Sequence, residues 1–522
     1  MPSVPLTGLS AQDPVPGQIA EINFAQGPAA GSGNVRPILI IANKSAAGSA
    51  TPDTVVYGPT SSPQLVSNQD CINLFGQGSE VHRMWKRITA VNTVTPVYVV
   101  APTESIGAAA TGVITITGSA TASGSARIWV GDDFVDAPIS NGDAVTAIAL
   151  AIQNAVNSRP DWAVTALAAI GVCTLTAKNK GLRGNWIRFQ AVINGTNVGT
   201  ASSASTIGFF TGGTTADSNV AALATIINSR YYEIASAAED ATQMGAALSQ
   251  VNTQALPING LRQRVFAASV DTQANSNTIA TGLNGARAEL VWLQNSDVTP
   301  SELAANAAAV YALEEAKSVP RLNFSSYGND AVTATNWKIK APRSGTIPTR
   351  TQIFTALQNG VTPIGVNLNG TTYLVKRITT RSLNGASPDY RIRDAHKVTV
   401  CDFFTDDLLA KFTAQFSGKL IADDPVPGAR VPGPNVVTPR VVKAAMVKLI
   451  LDYLSNDLLQ NGDTIIANTY ANRETAPTTR MSGRIPLQPI DLFDQGAWAI
   501  DQVAALAIGV GLSALSMLHF FA

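Results

Sequence analysis

Residues 360–384, GVTPIGVNLNGTTYLVKRITTRSLN, predict two β-strands joined by a tight turn. Pro363 and Gly365 restrict the backbone of the first strand, and Asn369-Gly370 is a turn dipeptide because both residues tolerate a positive φ. The side chains of the second strand alternate between two faces, as strand geometry requires. The stretch pairs no nucleophile with a neighbouring base, so it predicts a structural element rather than a catalytic one.

The elements on either side of this stretch divide the chain into six parts. Upstream, apolar strand runs alternate with helical patterns, which predicts an α/β core whose largely parallel sheet is covered by helices. Residues 104–213 interrupt this alternation with short Thr- and Gly-rich strands and one helix, which predicts an inserted, β-rich α+β outer domain. The parts are an N-terminal extended arm (1–35), the first part of the core (36–103), the inserted domain (104–213), the second part of the core (214–345), a C-terminal domain (346–484) and a C-terminal arm (485–522).

The two ends of the chain differ in composition from the rest. Residues 1–35 are rich in proline and glycine, contain too few apolar residues for a core, and lack the features of a signal peptide. Residues 503–522 carry no formal charge and are long enough to span a membrane. Because glycine, serine and histidine dilute their hydrophobicity, we favour a packing arm buried in an assembly and keep a membrane span as the alternative.

The composition favours a protein whose surface packs against other copies of itself. The 522 residues include 36 Lys and Arg against 36 Asp and Glu, so the formal net charge is zero. Only 14% of residues are charged, whereas an average soluble protein has about 25%. A nucleic-acid partner is not expected, because its binding requires a basic excess. The three cysteines, Cys71, Cys173 and Cys401, are far apart and indicate synthesis in a reducing compartment.

Individual side chains of the inserted domain carry further predictions. Asp143 is placed to cap its single helix, and Trp162 and Trp186 are expected to pack in its small core. The segment LTAKNKGLRGNWI (175–187) contains three basic residues, which we expect in a solvated turn. A phosphate site is the weaker alternative, because no glycine-rich loop opens a helix there. The three basic residues are Lys178, Lys180 and Arg183.

The chain lacks the dinucleotide fingerprint, the P-loop, the zinc-protease motif and the nucleophile elbow. His82 is expected on a helix surface, and His396 and Cys401 are five residues apart in a predicted helix (391–416), on different faces. We therefore predict that the chain is not an enzyme and has no catalytic, cofactor-binding or metal-binding residues. Three acidic pairs are expected on the solvated surface rather than as catalytic acid/base pairs; they are Asp132-Asp133, Asp406-Asp407 and Asp423-Asp424.

Four segments resemble, in the same order, tail sheath proteins of Mu-like phages and phage-tail-like bacteriocins. They are DPVPG (13–17), LFGQGSEVHRMWKRITAVN (74–92), LTAKNKGLRGNWI (175–187) and TTYLVKRITTR (371–381). The resemblance extends over nearly the whole chain. It implies a contractile tail sheath subunit that forms stacked hexameric rings around a tail tube. In that family, a metastable sheath contracts without nucleotide hydrolysis and drives the tube through a target envelope.

The resemblance also implies partners and a location. The partners are further copies of the chain, the tail tube protein, and baseplate and tail terminator proteins, with no cofactor. The location is the tail of the virion, after assembly in the cytoplasm of the host bacterium. Neighbouring subunits of the family exchange terminal strands, which here correspond to about residues 1–30 and 485–522. The predicted acceptor strands are residues 463–472 and 481–492, and the predicted arm anchors are Ile19, Ile22, Phe24, Val503 and Leu506.

Two other classes of protein remain open from the residues alone. Another self-assembling structural protein, such as a tail-tube or surface-array subunit, would share the low charge and the Thr- and Gly-rich strands, but would be mostly β. An α/β enzyme is the third class, because catalytic groups can come together from distant segments.

Overall fold

The first strand of the core, β1 (Ile38–Ile41), is buried on both faces, as its unbroken apolar run predicts. Successive side chains point to opposite faces, so Ile38 and Ile40 join one apolar cluster and Leu39 and Ile41 another. The structure is a computed structural model that describes residues 36–56, 67–194, 200–201, 207–318, 326–330, 333–345, 347–389, 391–430, 433–475 and 479–491.

The first part of the core continues with a short strand, two helices and a third strand. These are β2 (Val55–Val56), α1 (Asn68–Phe75), α2 (Glu80–Thr89) and β3 (Val97–Val100). Ser79, a residue type that favours N-cap positions, caps α2, and its hydroxyl accepts a hydrogen bond from the His82 amide at 3.2 Å. The apolar residues of α2 recur at helical spacing, and this stripe, which includes Met84 and Ile88, is buried in the core.

The chain then forms a module with its own sheets and its own apolar core, which we call the inserted module (residues 109–209). Its two antiparallel sheets of four strands have the orders β10-β4-β8-β7 and β11-β9-β5-β6. The elements are β4 (Ala109–Thr117), β5 (Gly124–Val130), β6 (Asp133–Ile139), α3 (Val145–Asn157), β7 (Val164–Ala169), β8 (Val172–Lys180), β9 (Arg188–Asn194), β10 (Thr200–Ala201) and β11 (Gly208–Phe209). Its place on the outside of an assembly stays a prediction.

Two side-chain predictions for the inserted module are wrong. Asp143 does not cap α3: the N-cap residue is Ala144, without a side-chain bond, and the Asp143 carboxylate instead accepts from the Ser140 amide at 2.7 Å. Trp162 is buried in the module as predicted, but Trp186 packs on Phe209 and against the main core. The large Trp186 ring therefore packs between the inserted module and the main core instead of filling the core of the module.

The second part of the core completes an eight-stranded sheet with the order β16-β15-β14-β13-β12-β1-β3-β2. Only its end strands β2 and β16 pair antiparallel, so the predicted largely parallel sheet is confirmed. Helices α1, α2 and α7 cover one face, and α4, α5, α6 and α8 the other. The added elements are α4 (Val220–Ala224), β12 (Glu233–Ser236), α5 (Ala241–Gln254), β13 (Arg264–Ser269), α6 (Gln273–Leu283), β14 (Ala288–Trp292), α7 (Pro300–Ser318), α8 (Arg350–Gln358), β15 (Val361–Val366) and β16 (Thr372–Leu374).

The stretch at residues 360–384 forms the predicted pair of strands, β15 and β16. Only Gly370 of the turn dipeptide takes a positive φ, of 79°, while the Asn369 side chain accepts from the Thr371 amide at 3.1 Å. Gly365 is required for packing, because a Cβ there would lie 2.5 Å from the Tyr373 ring. The stretch thus forms the end of the sheet, where the chain turns back antiparallel.

The remaining elements form a second helical body, which we call the C-terminal unit (residues 395–484). Its apolar clusters join α9 to α10 and the strands β21 and β22 to α10. Two small hairpin strands precede it. The elements are β17 (Leu383–Asn384), β18 (Ser387–Pro388), α9 (Ala395–Phe416), β19 (Leu420–Ile421), β20 (Val436–Val437), α10 (Pro439–Ser455), α11 (Gly462–Asn468), β21 (Tyr470–Arg473) and β22 (Met481–Arg484).

Both strands predicted near the C-terminus are corrected by the structure. Most of residues 463–472 forms the short helix α11, because Ile465 of the β-branched run packs against α10. Only β21 remains extended, and it pairs antiparallel with β22. The second strand ends at Arg484 instead of residue 492; Pro486 and Pro489, which lack an amide proton, follow it. Among the described residues, no helix combines the length and hydropathy needed to cross a membrane.

Candidate functional site

The carboxyl edge of the central sheet contains the point where ligand sites usually form in α/β folds. From β1 the sheet grows towards β3 on one side and towards β12 on the other, which makes a topological switch point. Open α/β sheets bind ligands in the crevice outside the carboxyl ends of the strands at such a point. Here Asn43 follows β1 and Glu239 follows β12, so both lie at this crevice.

The crevice is occupied by Arg183, which follows β8 of the inserted module. The Arg183 guanidinium donates to Glu80 Oε2 at 2.9 Å, to Glu239 Oε2 at 3.1 Å and to Asn219 Oδ1 at 3.2 Å. Its Nε also lies 3.3 Å from Asp217 Oδ2. The side chain is 4% exposed. The inserted module therefore places its own cation where related folds place a ligand, and we call this group the Arg183 latch.

The latch contains more negative than positive groups. Burial raises the pKa of Glu239 to about 7, against the opposing effect of Arg183. Burial likewise raises the pKa of Asp217, although Arg183 lowers it. Asn43 Nδ2 and the Ser105 amide donate to Asp217 at 2.8 and 2.7 Å. One guanidinium and a few neutral hydrogen-bond donors therefore offset the cost of burying these carboxylates.

The prediction of a solvated basic turn is wrong for Arg183 and right for Lys180, which is exposed. Lys178 is partly buried, and its ammonium group donates to the carbonyl oxygens of Gln77 and Pro160. The two inward-facing basic side chains therefore hold the inserted module against the core. No phosphate-binding arrangement results, because carbonyl and carboxylate oxygens surround both groups.

A cleft of about 340 Å³ lies between α2, the inserted module and the start of α7. Arg87 bonds Asp132 at 2.6 Å and Glu302 at 3.2 Å across it, and Lys86 bonds Asp161 at 3.0 Å. Asp132 is thus part of an ionic contact between the inserted module and the core, which corrects its expected place on the solvated surface. Because these charged groups pair with one another, we interpret the cleft as an interface between the inserted module and the core rather than as a ligand pocket.

His82 is buried within α2, which contradicts its predicted place on the helix surface. Its Nδ1 accepts from the Gly78 amide at 3.1 Å, and its Nε2 lies 3.0 Å from Asn68 Oδ1. The neutral ring with the proton on Nε2 satisfies both contacts. Burial, and to a lesser extent the charge of Lys86, lowers the pKa of His82 to about 4. The residue is a structural hydrogen-bonding group.

Replacing His82 by glutamine is expected to flatten the acid side of the stability profile. Between pH 6.5 and about 4 the unfolded chain binds a proton at His82 that the folded chain does not bind. The wild-type protein therefore loses stability as the pH falls through this window, whereas His82→Gln avoids this loss. Urea unfolding midpoints measured from pH 7.5 to pH 4.5 test this. Parallel profiles for the two proteins would contradict the buried neutral ring.

A second charged group lies at the opposite, amino edge of the sheet, and we call it the amino-edge cluster. Glu315, near the end of α7, is fully buried and accepts from three arginines. The bonds come from Arg36 at 2.8 Å, Arg264 at 3.0 Å and Arg377 at 2.6 Å. These arginines precede β1, open β13 and follow β16, so one carboxylate ties together three distant segments.

Two further glutamates complete the amino-edge cluster and differ in their contacts. Glu289 receives bonds from Arg377 Nε at 3.0 and 3.1 Å. Glu233 accepts no hydrogen bond from the described residues, and its nearest guanidinium, that of Arg264, is 3.8 Å away. Burial, and next the charge of Glu315, raises the pKa of Glu233 well above its ordinary value. Ionised Glu233 is therefore unfavourable in the folded chain.

Replacing Glu233 by glutamine is expected to raise the free energy of unfolding more at pH 8 than at pH 5, because burial and the charge of Glu315 hold the pKa of the folded carboxyl well above its ordinary value. Folded Glu233 retains a proton that the unfolded chain has released, so its contribution is lost as the pH rises above the ordinary glutamate range. Glutamine is neutral at every pH. The matched control Glu315→Gln should lower stability, because Glu315 accepts from three arginines. Urea unfolding at pH 5 and pH 8 measures the change in unfolding free energy for both variants. A Glu233→Gln change of the same size at the two pH values would refute the raised pKa of Glu233.

The cysteines are not poised for nucleophilic chemistry. Burial raises the pKa of Cys173 and of Cys401 to about 11, and raises that of the fully buried Cys71 further. A thiolate is the reactive form, so these thiols are unreactive near neutral pH. The described residues contain no group of three or more His, Cys, Asp and Glu side chains placed to hold a metal ion.

The predicted arm anchors Ile19, Ile22, Phe24, Val503 and Leu506 lie outside the described residues. Their predicted acceptor is represented by the hairpin of β21 and β22. Among the described elements, no third strand joins this hairpin. It rests on α10, where a Cβ at Gly483 would lie 2.6 Å from the Met446 methyl carbon. The strand-exchange assignment stays a prediction.

The sequence reasoning missed the two buried charged groups. One signal was present for Glu315, because it continues the buried helical stripe of Ala304, Ala308 and Tyr311 at the spacing of a single face. A glutamate in such a stripe requires a cation. No comparable signal marks Arg183, which lies in a short glycine-containing turn with two other basic residues nearby.

Comparison with known proteins gives one relative among curated proteins. The chain is 30% identical over 151 residues to the Mu-like prophage FluMu tail sheath protein of Haemophilus influenzae. The resemblance to Mu-like tail sheath proteins is confirmed. The match covers 29% of this sheath-like chain, which spans about 30% of the relative's length. No family model matches the chain.

Solved structures also match the sheath-like chain, and three of them are described here. A sheath tail protein from Desulfitobacterium hafniense has 13% identity and a TM-score of 0.46, covering 91% of this chain and 97% of that chain. A sheath tail protein from Listeria innocua has 12% identity and a TM-score of 0.46, covering 88% and 93%. A chain of the anti-feeding prophage baseplate structure has 10% identity and a TM-score of 0.44, covering 96% of this chain and 100% of that chain. At these scores the likenesses support no inference about assembly.

Proposed function

We propose that the chain is the structural subunit of a contractile phage tail sheath. The observation that carries this proposal is the 151-residue match to a Mu-like prophage tail sheath protein at 30% identity. The four sheath-like segments of the sequence, between residues 13 and 381, support its extension to the whole chain.

The site geometry supports a structural role over a catalytic one. The crevice in which α/β enzymes hold ligands is occupied here by Arg183, which bonds Glu80 and Glu239. The cleft beside it is lined by paired ions. We therefore propose that the chain is not an enzyme and needs no cofactor.

The finer part of the proposal concerns assembly. Subunits form hexameric rings that stack around a tail tube, with baseplate and terminator proteins at the ends and no nucleic-acid or membrane partner. Contraction converts a metastable packing into a stable one without nucleotide hydrolysis, as in other bistable assemblies. The particle is built in the host bacterial cytoplasm and becomes the tail of a virion or bacteriocin. The zero net charge and the 14% content of charged residues suit such extensive self-contact.

The terminal arms link the subunits in this proposal. Residues 1–35 precede Arg36, which Glu315 holds at the start of β1. An extended arm gains backbone partners by adding a strand to a neighbour's sheet, and the β21–β22 hairpin is the proposed acceptor. The assigned anchors are the side chains at positions 19, 22, 24, 503 and 506.

Negative-stain electron microscopy of the purified full-length chain tests the proposed function. We expect hollow, transversely striated tubes whose formation is unaffected by ATP or by a metal chelator. A protein that stays monomeric over a wide range of concentration and salt would contradict the proposal. Circular dichroism separates the alternative of a tail-tube or surface-array subunit, which would lack the helical signal of α7, α9 and α10.

A further inference from the structure

The amino edge of the central sheet carries a row of arginines outside the buried cluster. Arg230 precedes β12, Arg262 precedes β13 and Arg287 precedes β14. These three strands are adjacent and parallel, so their amino ends lie side by side. The three guanidinium groups therefore form a line along the edge, which we call the arginine row.

Helix α9 of the C-terminal unit lies across the arginine row and binds it with two carboxylates. Asp402 binds Arg287 in a bidentate pair, with both N–O distances 2.7 Å. Asp406 bridges Arg230 at 2.5 Å and Arg262 at 2.7 Å. Residues four apart share one face of a helix, so both carboxylates meet the row together. Asp406 thus lies in a contact between the C-terminal unit and the sheet, which corrects its predicted place on the solvated surface.

The apolar side chains of the C-terminal unit pack among themselves. Phe404 of α9 packs edge to face against Tyr453 of α10 with ring centres 4.8 Å apart, and the cluster extends to Leu449 and Ile465. Among the described residues, the two apolar clusters of this unit contain no residue before Val400. The unit therefore has its own apolar core, and α9 meets the arginine row through ion pairs. The start of α9 is attached in a different way: Ala395 and Thr399 are buried, and the preceding Asp394 pairs with Lys376 at 2.9 Å.

The exposure of these ion pairs distinguishes them from the amino-edge cluster. The paired side chains of the row are 11–26% exposed, whereas the Glu315 side chain is not exposed at all. Water can solvate a partly exposed ion pair when it opens, but opening a fully buried pair leaves charges without solvent. The contact along the row is therefore the one that can open without disrupting either core.

We propose that the arginine row is a releasable docking seam for the C-terminal unit. The unit swings away from the row as one folded body about the start of α9, while the sheet, the amino-edge cluster and the α9–α10 core stay intact. The use of this motion rests on the proposed sheath function: the unit carries the β21–β22 hairpin, and release lets that hairpin stay joined to a neighbouring subunit while the cores change their packing.

Hydrogen exchange of the full-length chain, read by mass spectrometry, tests the seam without requiring tube formation. The double variant Asp402→Asn/Asp406→Asn removes both carboxylate charges and keeps similar side-chain volumes. We expect roughly tenfold faster exchange in peptides on the two sides of the seam, because three partly buried ion pairs are lost. Peptides from the interiors of β13, β14 and α10 should be unchanged. The control Asp423→Asn/Asp424→Asn has the same change in charge, at an ion pair with Arg473 and at the first turn of α10, and should leave the seam peptides at the wild-type exchange rate.

The wild-type protein in 1 M NaCl gives an independent measurement should the double variant fail to fold. Salt screens partly exposed charges, so the same seam peptides should exchange faster than in 0.1 M NaCl. Unchanged seam exchange in high salt would overturn the proposal. Equal acceleration of the seam and of both cores would also overturn it, because it would show one cooperative body. Selective acceleration in a protein that forms no tubes would support the seam and refute only the sheath function.

Discussion

The variant Arg183→Met is expected to lose roughly 3–5 kcal/mol of unfolding free energy, the cost of breaking a buried ion pair on one side. The guanidinium serves Glu80, Asp217 and Glu239 at once, at 2.9–3.3 Å. Methionine fills similar space but provides no charge and no donor. The carboxylates would remain buried at the carboxyl edge without their main counter-charge. Urea unfolding at pH 7.5, followed by circular dichroism, measures the loss.

The chain provides a matched control for this substitution. Lys180 lies three residues earlier, at the end of β8, and is exposed, so Lys180→Met should change stability by less than about 0.5 kcal/mol. Adding Glu239→Gln to Arg183→Met should recover part of the loss, because it removes one of the uncompensated charges. If Arg183→Met is no worse than the control, the latch does not hold the inserted module to the core.

Deleting residues 1–27 is expected to abolish tube formation while leaving a folded, soluble monomer. The described core begins at Arg36, so this deletion leaves every described element in place. It removes the segment that we propose adds a strand to a neighbour's sheet. Sedimentation and negative-stain microscopy measure assembly, and circular dichroism measures folding. Normal tubes from the truncated chain would end the strand-exchange proposal for this arm.

Point substitutions within the arm test whether assembly requires the assigned anchors or only an arm of full length. Replacing the three proposed anchors, Ile19, Ile22 and Phe24, by serine should prevent tubes as the deletion does. The matched control replaces three other apolar residues of the same arm by serine and should still assemble. These control residues are Val4, Leu6 and Leu9. Equal loss in both triple variants would mean that overall hydrophobicity, not the assigned anchors, drives assembly.

The C-terminal arm is tested in the same assay. Removing residues 503–522 should impair tube formation, and the full-length chain should be soluble without detergent. If the full-length chain instead partitions only into membranes, the membrane-span interpretation of this segment is the correct one. This outcome would leave the N-terminal prediction unaffected, because the two arms are altered in separate variants.

Local sequence patterns predicted much of the regular structure. The apolar runs at β1 and β3, the Ser79 cap of α2 and the strands around the Asn369-Gly370 turn are all present. Each of these features depends on neighbouring residues, through hydrophobic periodicity, capping or turn geometry. The same local rules failed at α11, where a β-branched run resembles a strand but packing of Ile465 on α10 favours a helix.

The sequence by itself therefore determined the α/β class, the largely parallel sheet, and the resemblance to Mu-like sheath proteins. The tertiary structure alone decided where the charges lie. Arg183 bonds Glu80, which is 103 residues away in the sequence, and Glu239, which is 56 residues away. Arg36 bonds Glu315, which is 279 residues away. Whether a charged side chain is solvated or buried depends on such distant partners, because only a completed fold can provide the opposite charge that offsets its desolvation.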